Sequence, residues 1–112
     1  EYLQLNKFIN LRESEIFEHF NMGIKEFYSL LNILVMDKSV IKINSDIILL
    51  NSELDTMKSS IIDFLNKNDS LSVPDFKRIT NTTRKYAIPV LEYLDKINFT
   101  FRMDNSRKLV KN

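Results

Sequence analysis

The chain has 112 residues, 44% of them apolar, and a formal net charge of +1. This is the make-up of one ordinary folded domain or two very small ones, not of a disordered segment. With no cysteine it holds neither a disulfide framework nor a thiolate metal site, which fits a reducing, cytoplasmic setting, and no apolar run approaches the roughly 18 to 20 residues of a membrane span. The start at Glu1-Tyr2, without an initiator Met, implies a piece of a longer protein.

Only one Gly and two Pro interrupt the chain, and apolar residues recur at three and four, so the reading is mostly helical. "EYLQLNKF" reads as a clipped first helix, "INL" as a short strand and "ESEIFEHF" as a second helix. "NMG" then turns the chain, with Gly23 free to take a positive φ. "IKEFYSLLNILVMDK" gives a third helix with Phe27, Leu30, Leu31, Leu34 and Val35 on its core side, and "VIKINSDIILL" folds into a hairpin.

The same order returns in the second half. Leu54, Met57, Ile61, Phe64 and Leu65 form the stripe of a helix over about 53 to 67, with Ser52 as N-cap and Glu53 and Asp55 in the first turn, where the helix dipole favours acids. "NDS" stops that helix, "LSV" forms a short strand, and Pro74 opens a short helix over "DFKRIT". Asn81 turns the chain in the left-handed conformation, and Thr82 or Thr83 caps a helix with the stripe Tyr86, Ala87, Val90, Leu91, Leu94 and Ile97. Pro89 cannot donate to the carbonyl of Lys85, so a bend is expected there. After Asn98 the period changes to two, and "FTFRM" and "RKLVK" flank "DNS" as a hairpin.

Helix, strand, helix, turn, helix, hairpin is the order of a winged helix, in which a helix-turn-helix carries a β wing. The fold class is therefore mainly α with small β wings, as two tandem winged helices, 1–51 and 52–112, about 60 residues out of step, with Leu11 answering to Leu71 and Ile43 to Phe101. Units this small are marginal on burial alone.

Charge separates the copies. Residues 1–51 carry five cations against seven acids, whereas 76–112 carry nine cations against three acids. A concentrated basic face is the footprint of a polyanion. Arg84 and Lys85 open the last helix, where the dipole disfavours cations, and the free N–H groups there attract anions. In the last hairpin a two-residue turn sets Arg102 opposite Arg107, and a three-residue turn sets Arg102 opposite Lys108. Either register opposes like charges. Phosphate oxygens would relieve that repulsion, and Arg binds them two at a time. The competing reading pairs these cations with Glu92 or Asp95 on an ordinary solvated surface. Thr83, Lys77 and Arg78 of the helix-turn-helix complete the candidate polyanion-binding set with Arg84, Lys85, Arg102, Arg107 and Lys108. Tyr86, Tyr93, Phe99 and Phe101 offer rings for unpaired bases, against a simpler role in the core.

Catalytic chemistry has little to work with. His19 is the only histidine, so no metal or nucleophile constellation forms around it, and no Gly-rich loop binds a nucleotide triphosphate. No enzymatic activity and no cofactor are expected of these residues.

"TTRKYAIPVLEYLDK", from Thr82 to Lys96, with Arg102 and Arg107 in the wing that follows, closely resembles the last winged helix of bacterial selenocysteine-specific elongation factors. The first half resembles the preceding winged helix of that family only in layout. The resemblance implies a translation factor whose GTPase, with its GTP and Mg, lies outside this sequence. It implies further that the last winged helix grips the selenocysteine insertion (SECIS) stem-loop of mRNA, through Arg84, Lys85 and Arg102. Selenocysteyl-tRNA would be bound only by the absent part, the ribosome is a further candidate partner, and a cytoplasmic monomer with no membrane contact is expected. Where the family often has Gly-Thr-Ser this chain has Asn81-Thr82-Thr83, Phe101 stands at a frequent Arg, and Asp104-Asn105 replaces a Gly-Asp turn. Two other readings stay open: a tandem winged-helix regulator of DNA, and a protein-interaction module supported by the apolar first hairpin.

Overall fold

The structure, a computed structural model, describes residues 8–10 and 23–110. The expected helix over "ESEIFEHF", His19, and all of "EYLQLNKF" except Phe8 lie outside the described residues; Phe8 begins a strand and not the end of a helix. The chain divides into two compact units, Glu1–Leu54 and Asp55–Asn112.

In the first unit β1 (Phe8–Asn10), β2 (Val40–Lys42) and β3 (Ile47–Leu50) form an antiparallel sheet in the order β1-β3-β2, and α1 spans Ile24–Met36. Gly23 precedes α1 at its N-cap with φ −74°, extended backbone and not the expected positive φ, and its N–H donates to Glu26 Oε1 at 3.4 Å. Phe27 and Leu31 are buried as their spacing predicts, Leu34 and Val35 are half-buried, and Leu30 is instead exposed. The apolar run Ile47–Leu49 is buried because β3 is the central strand, paired on both edges. The apolar first hairpin is thus core and not a free docking face.

α2 (Asn51–Lys67) begins four residues before the second unit, in which it is followed by β4 (Leu71–Ser72), α3 (Val73–Thr80), α4 (Arg84–Lys96), β5 (Thr100–Met103) and β6 (Ser106–Leu109), with the sheet order β4-β6-β5. α2 starts two residues before the expected helix, so Ser52 sits inside its first turn and does not cap it. Met57 and Ile61 are buried on the predicted stripe, while Phe64 and Leu65 are half-buried. Around them close Leu71, Phe76, Ala87, Val90, Leu91 and Leu94, every one fully buried. Ile97 departs from the predicted stripe: it is the C-cap of α4, where the helical period ends, and is exposed. Among the described residues no helix is long and apolar enough to cross a membrane.

Some described elements of the two units match in length and spacing. α1 and α4 each have 13 residues and start 60 residues apart, as do β2 and β5. Each helix ends on a left-handed residue at the same place, Lys38 (φ 67°) and Asn98 (φ 63°), with matching bonds from Ser39 N to Leu34 O and from Phe99 N to Leu94 O. Ile41 pairs with Leu49 as Phe101 pairs with Lys108, so the counterpart of Phe101 is Ile41 and not Ile43, which lies beyond the end of β2.

α3 is fixed at both ends, which matters because it leads into the candidate site. Asp75 N donates to Ser72 Oγ at 3.2 Å and Ser72 N to Asp75 Oδ2 at 3.1 Å, a reciprocal capping box, with Pro74 in the first turn. Asn81 ends the helix with φ 52° and ψ 51°, the left-handed turn expected of it. The Ser72 N–H bond is the largest influence holding the Asp75 carboxyl below its ordinary value of 3.8, against burial, which raises it; Arg78 adds a smaller lowering effect. Because the folded value is the lower one, this stabilisation is complete above about pH 4 to 5 and is lost as pH falls through the folded value. Asp75→Asn, which removes the charge and keeps an acceptor for the Ser72 N–H, should cost up to about 1 kcal/mol at pH 7. Urea titrations at pH 7 and at pH 2.5 should show the gap between variant and parent shrinking in acid, and an equal gap at both would mean Asp75 contributes nothing through its charge.

Candidate RNA interface

The residues that connect α3 to α4 leave a helix start without a counter-charge. Thr83 occupies the N-cap of α4 in an extended conformation, but its side chain makes no capping bond. Its carbonyl accepts from Tyr86 N at 3.1 Å and Ala87 N at 2.8 Å, and the first turn contains no acid. Arg84 and Lys85 both stand exposed there. Among the described residues Arg84 makes no ion pair, and Lys85 Nζ lies 5.3 Å from the centre of the Tyr86 ring, in cation–π range.

The wing is closed by the two-residue turn Asp104-Asn105, with Asp104 left-handed (φ 55°). Its register sets Arg102 directly opposite Arg107, the first of the two arrangements the sequence allows. The relief of that repulsion comes from inside the fold. Arg107 is 4% exposed, and its Nε and Nη2 donate to Asp95 Oδ2 at 3.3 and 3.2 Å, while Thr100 Oγ1 donates to Asp95 Oδ1 at 2.6 Å. Asp95 therefore ties the last turn of α4 to both strands of the wing. This qualifies the expectation for Arg107: it is a buried, carboxylate-bound guanidinium with a structural role, and not an exposed cation.

Arg102 remains outside. Its Nε donates to the Asp104 carbonyl at 3.0 Å, which anchors the side chain on the turn and leaves the two terminal nitrogens of the guanidinium for another partner. Arg84 and Arg102, distant in sequence, line one open pocket of about 320 Å³ together with the carboxylate-bound Arg107 and with Ser72, Val73, Pro74, Ile88, Glu92 and Asn105. Sequence reasoning named the two arginines but missed Ser72 and Asn105, whose only signal was that each sits where an element ends.

The other candidates do not converge there. Arg78 is exposed and pairs with Asp75 at 3.3 Å, and Lys77 is half-buried on α3. Lys108 pairs across the hairpin with Phe101, one position out of step with the Arg102–Arg107 pair, so alternation places it on the opposite face of the wing. Among the described residues no group of three or more His, Asp or Glu is placed to hold a metal ion.

A short helix and a longer one joined by a tight turn, followed by a wing that shares a three-stranded sheet with the strand before them, make the second unit a winged helix. Residues 63–109 match the family model described as elongation factor SelB, winged helix. The selenocysteine-specific elongation factor of Desulfomicrobium baculatum is 30% identical over 94 residues, which cover 84% of this chain and 15% of that protein. The chain thus spans less than a sixth of the length of that relative. Among solved structures, the mRNA-binding domain of elongation factor SelB from E. coli in complex with SECIS RNA superposes with a TM-score of 0.82 at 23% identity, covering 94% of this chain and 85% of that one. A bacterial selenocysteine-specific elongation factor, EF-Sec, gives a TM-score of 0.73 at 25% identity, over 93% of this chain and 16% of that one. The resemblance read from Thr82–Lys96 holds: the chain is similar to the C-terminal winged-helix part of SelB.

Proposed function

We propose that the chain comprises two tandem winged helices, 1–51 and 52–112, and that the second docks a selenocysteine-specific elongation factor on the SECIS stem-loop of its mRNA, so directing the factor to UGA codons. The observation that carries this reading is the convergence of Arg84, from the uncapped start of α4, and Arg102, from the wing, on one open pocket. Two guanidinium groups beside unpaired helix N–H groups suit backbone phosphate. Lys85 and Thr83 border the same helix start, while Lys77 and Arg78 add to the field from α3 and Lys108 from the far face of the wing. The unit performs no catalysis. GTP, Mg and selenocysteyl-tRNA belong to the rest of the factor, which works in the cytoplasm as a monomer and meets the ribosome there.

A DNA regulator would read bases with polar side chains along α4. The non-buried positions there include Ile88, Pro89 and Glu92, a poor set of donors for a base edge, and the deep, narrow groove of A-form RNA excludes a helix in any case. The α4 start and the wing instead clamp the backbone around a loop. Titration of the chain against a stem-loop RNA, the same RNA fully paired, and a DNA duplex of equal length, at two salt concentrations, tests this. Binding should depend on the loop and on RNA, and equal affinity for all three would reduce the interaction to unspecific charge.

A further inference from the structure

The far face of the wing carries a second feature that the phosphate clamp leaves unexplained. Phe101 and Met103 point the same way along β5 and are 40% and 47% exposed. With Lys108 of β6, and with Asn66, Asn68 and Asp69 at the end of α2, they line an open groove of about 800 Å³. Lys108 stands directly across the ladder from Phe101, a pairing that brings Cβ atoms to about 5 Å. Among the described residues Lys108 makes no ion pair. Asn68 Nδ2 donates to the Phe64 carbonyl at 2.9 Å, and neither its Oδ1 nor the Asn66 side chain has a partner among the described residues.

We infer that this groove is a second nucleotide subsite, in which one unpaired base of the same RNA stacks on Phe101 with its phosphate on Lys108. The inference rests on the RNA reading above. An aromatic ring with a single unpaired cation beside it matches a base and its own phosphate. The rim supplies neutral amides, which hydrogen-bond a base edge in either sense, and the Asp69 carboxylate accepts only from an amino or imino group. A protein partner fits less well, because a stable interface takes about 800 Å² from each side, and of the apolar residues lining this groove only Phe101 and Met103 are exposed, with Leu65, Leu109 and Val110 half-buried. Arg102 occupies the opposite face of the same two-stranded ribbon, so a strand held at the first pocket reaches Phe101 by passing one edge of the wing.

The test uses the chain with the stem-loop above and with versions in which each unpaired nucleotide in turn is made abasic. Phe101→Ala should weaken binding by about 5- to 100-fold, the scale of one base stacked on a ring, while Phe101→Tyr keeps near-parental affinity and Lys108→Ala shows a smaller loss with reduced salt dependence. One abasic RNA should bind parent and Phe101→Ala alike, which identifies the stacked base. A Phe101→Ala protein with parental Tm and parental affinity for every RNA overturns the inference, as does a change in sedimentation without a change in RNA binding, which would mark the face as a protein contact. If Arg84→Glu weakens binding while Phe101→Ala does not, only this inference fails. If the unaltered chain ignores the loop, the reading it rests on fails with it.

Discussion

Asp95→Ala is expected to destabilise the second unit by about 3 kcal/mol, the low end of the range for stranding a buried charge, because the Asp95 side chain keeps 24% of its exposure while that of Arg107 keeps 5%. The loss exceeds that of an ordinary surface pair because three bonds converge on this one carboxylate, two from Arg107 and one from Thr100. A unit of this size has a total stability of only a few kcal/mol, so the variant should be close to its unfolding midpoint at room temperature. Replacing both partners, as Asp95→Ala with Arg107→Met, removes the stranded charge and should restore most of the stability. Urea unfolding followed by circular dichroism reads both effects, and a double variant no more stable than Asp95→Ala would show that the side chains act independently. The same comparison separates the two roles open to Arg107: the folded double variant should bind RNA nearly as the parent does.

Why Arg107 looked like a ligand is instructive. The 60-residue spacing of α1 and α4, the left-handed turn at Asn81 and the presence of a hairpin after α4 were all legible, because each depends on local chemistry: apolar period, a residue tolerant of positive φ, a cluster of turn formers; the length of the wing turn was left open between two and three residues. The inward face of β6 was not. "RKLV" places two apolar residues in succession, so alternation allows either parity, and only the pairing of Arg107 with the buried Leu71 on β4 decides it. Asp95 was visible as a possible partner, but which cation it reaches depends on how the end of α4 meets the wing, a long-range fact. Gly23 failed for a different reason: a lone glycine before a helix suits an N-cap as well as a positive-φ turn, and the backbone there is extended. At the candidate site the arginines were legible as charge; their convergence on one pocket required the fold.

Arg84→Glu should weaken binding to the stem-loop by about 1 to 3 kcal/mol, a roughly 10- to 100-fold loss, and should flatten the dependence of affinity on salt by about one counterion or more. What makes this variant decisive is that its effect on stability has the opposite sign. Arg84 is the first residue of α4, a helix with no acid in its first turn, and the dipole there opposes a cation and favours a carboxylate. Exchanging the two should raise the stability of the unit by about 0.3 to 1 kcal/mol, so a drop in RNA affinity would come from a protein that is better folded than its parent. Arg102→Glu on the wing should show the same loss of affinity with a smaller gain in stability, since its side chain shares the pocket with the start of α4 but is not part of that first turn. Because both side chains line one pocket, the two losses should be less than additive in the double variant if they hold the same phosphate, and additive if they hold different ones. An Arg84→Glu protein that is stabilised and still binds the stem-loop with parental affinity would mean that the cations at this helix start serve no RNA, and the clamp would have to be sought elsewhere.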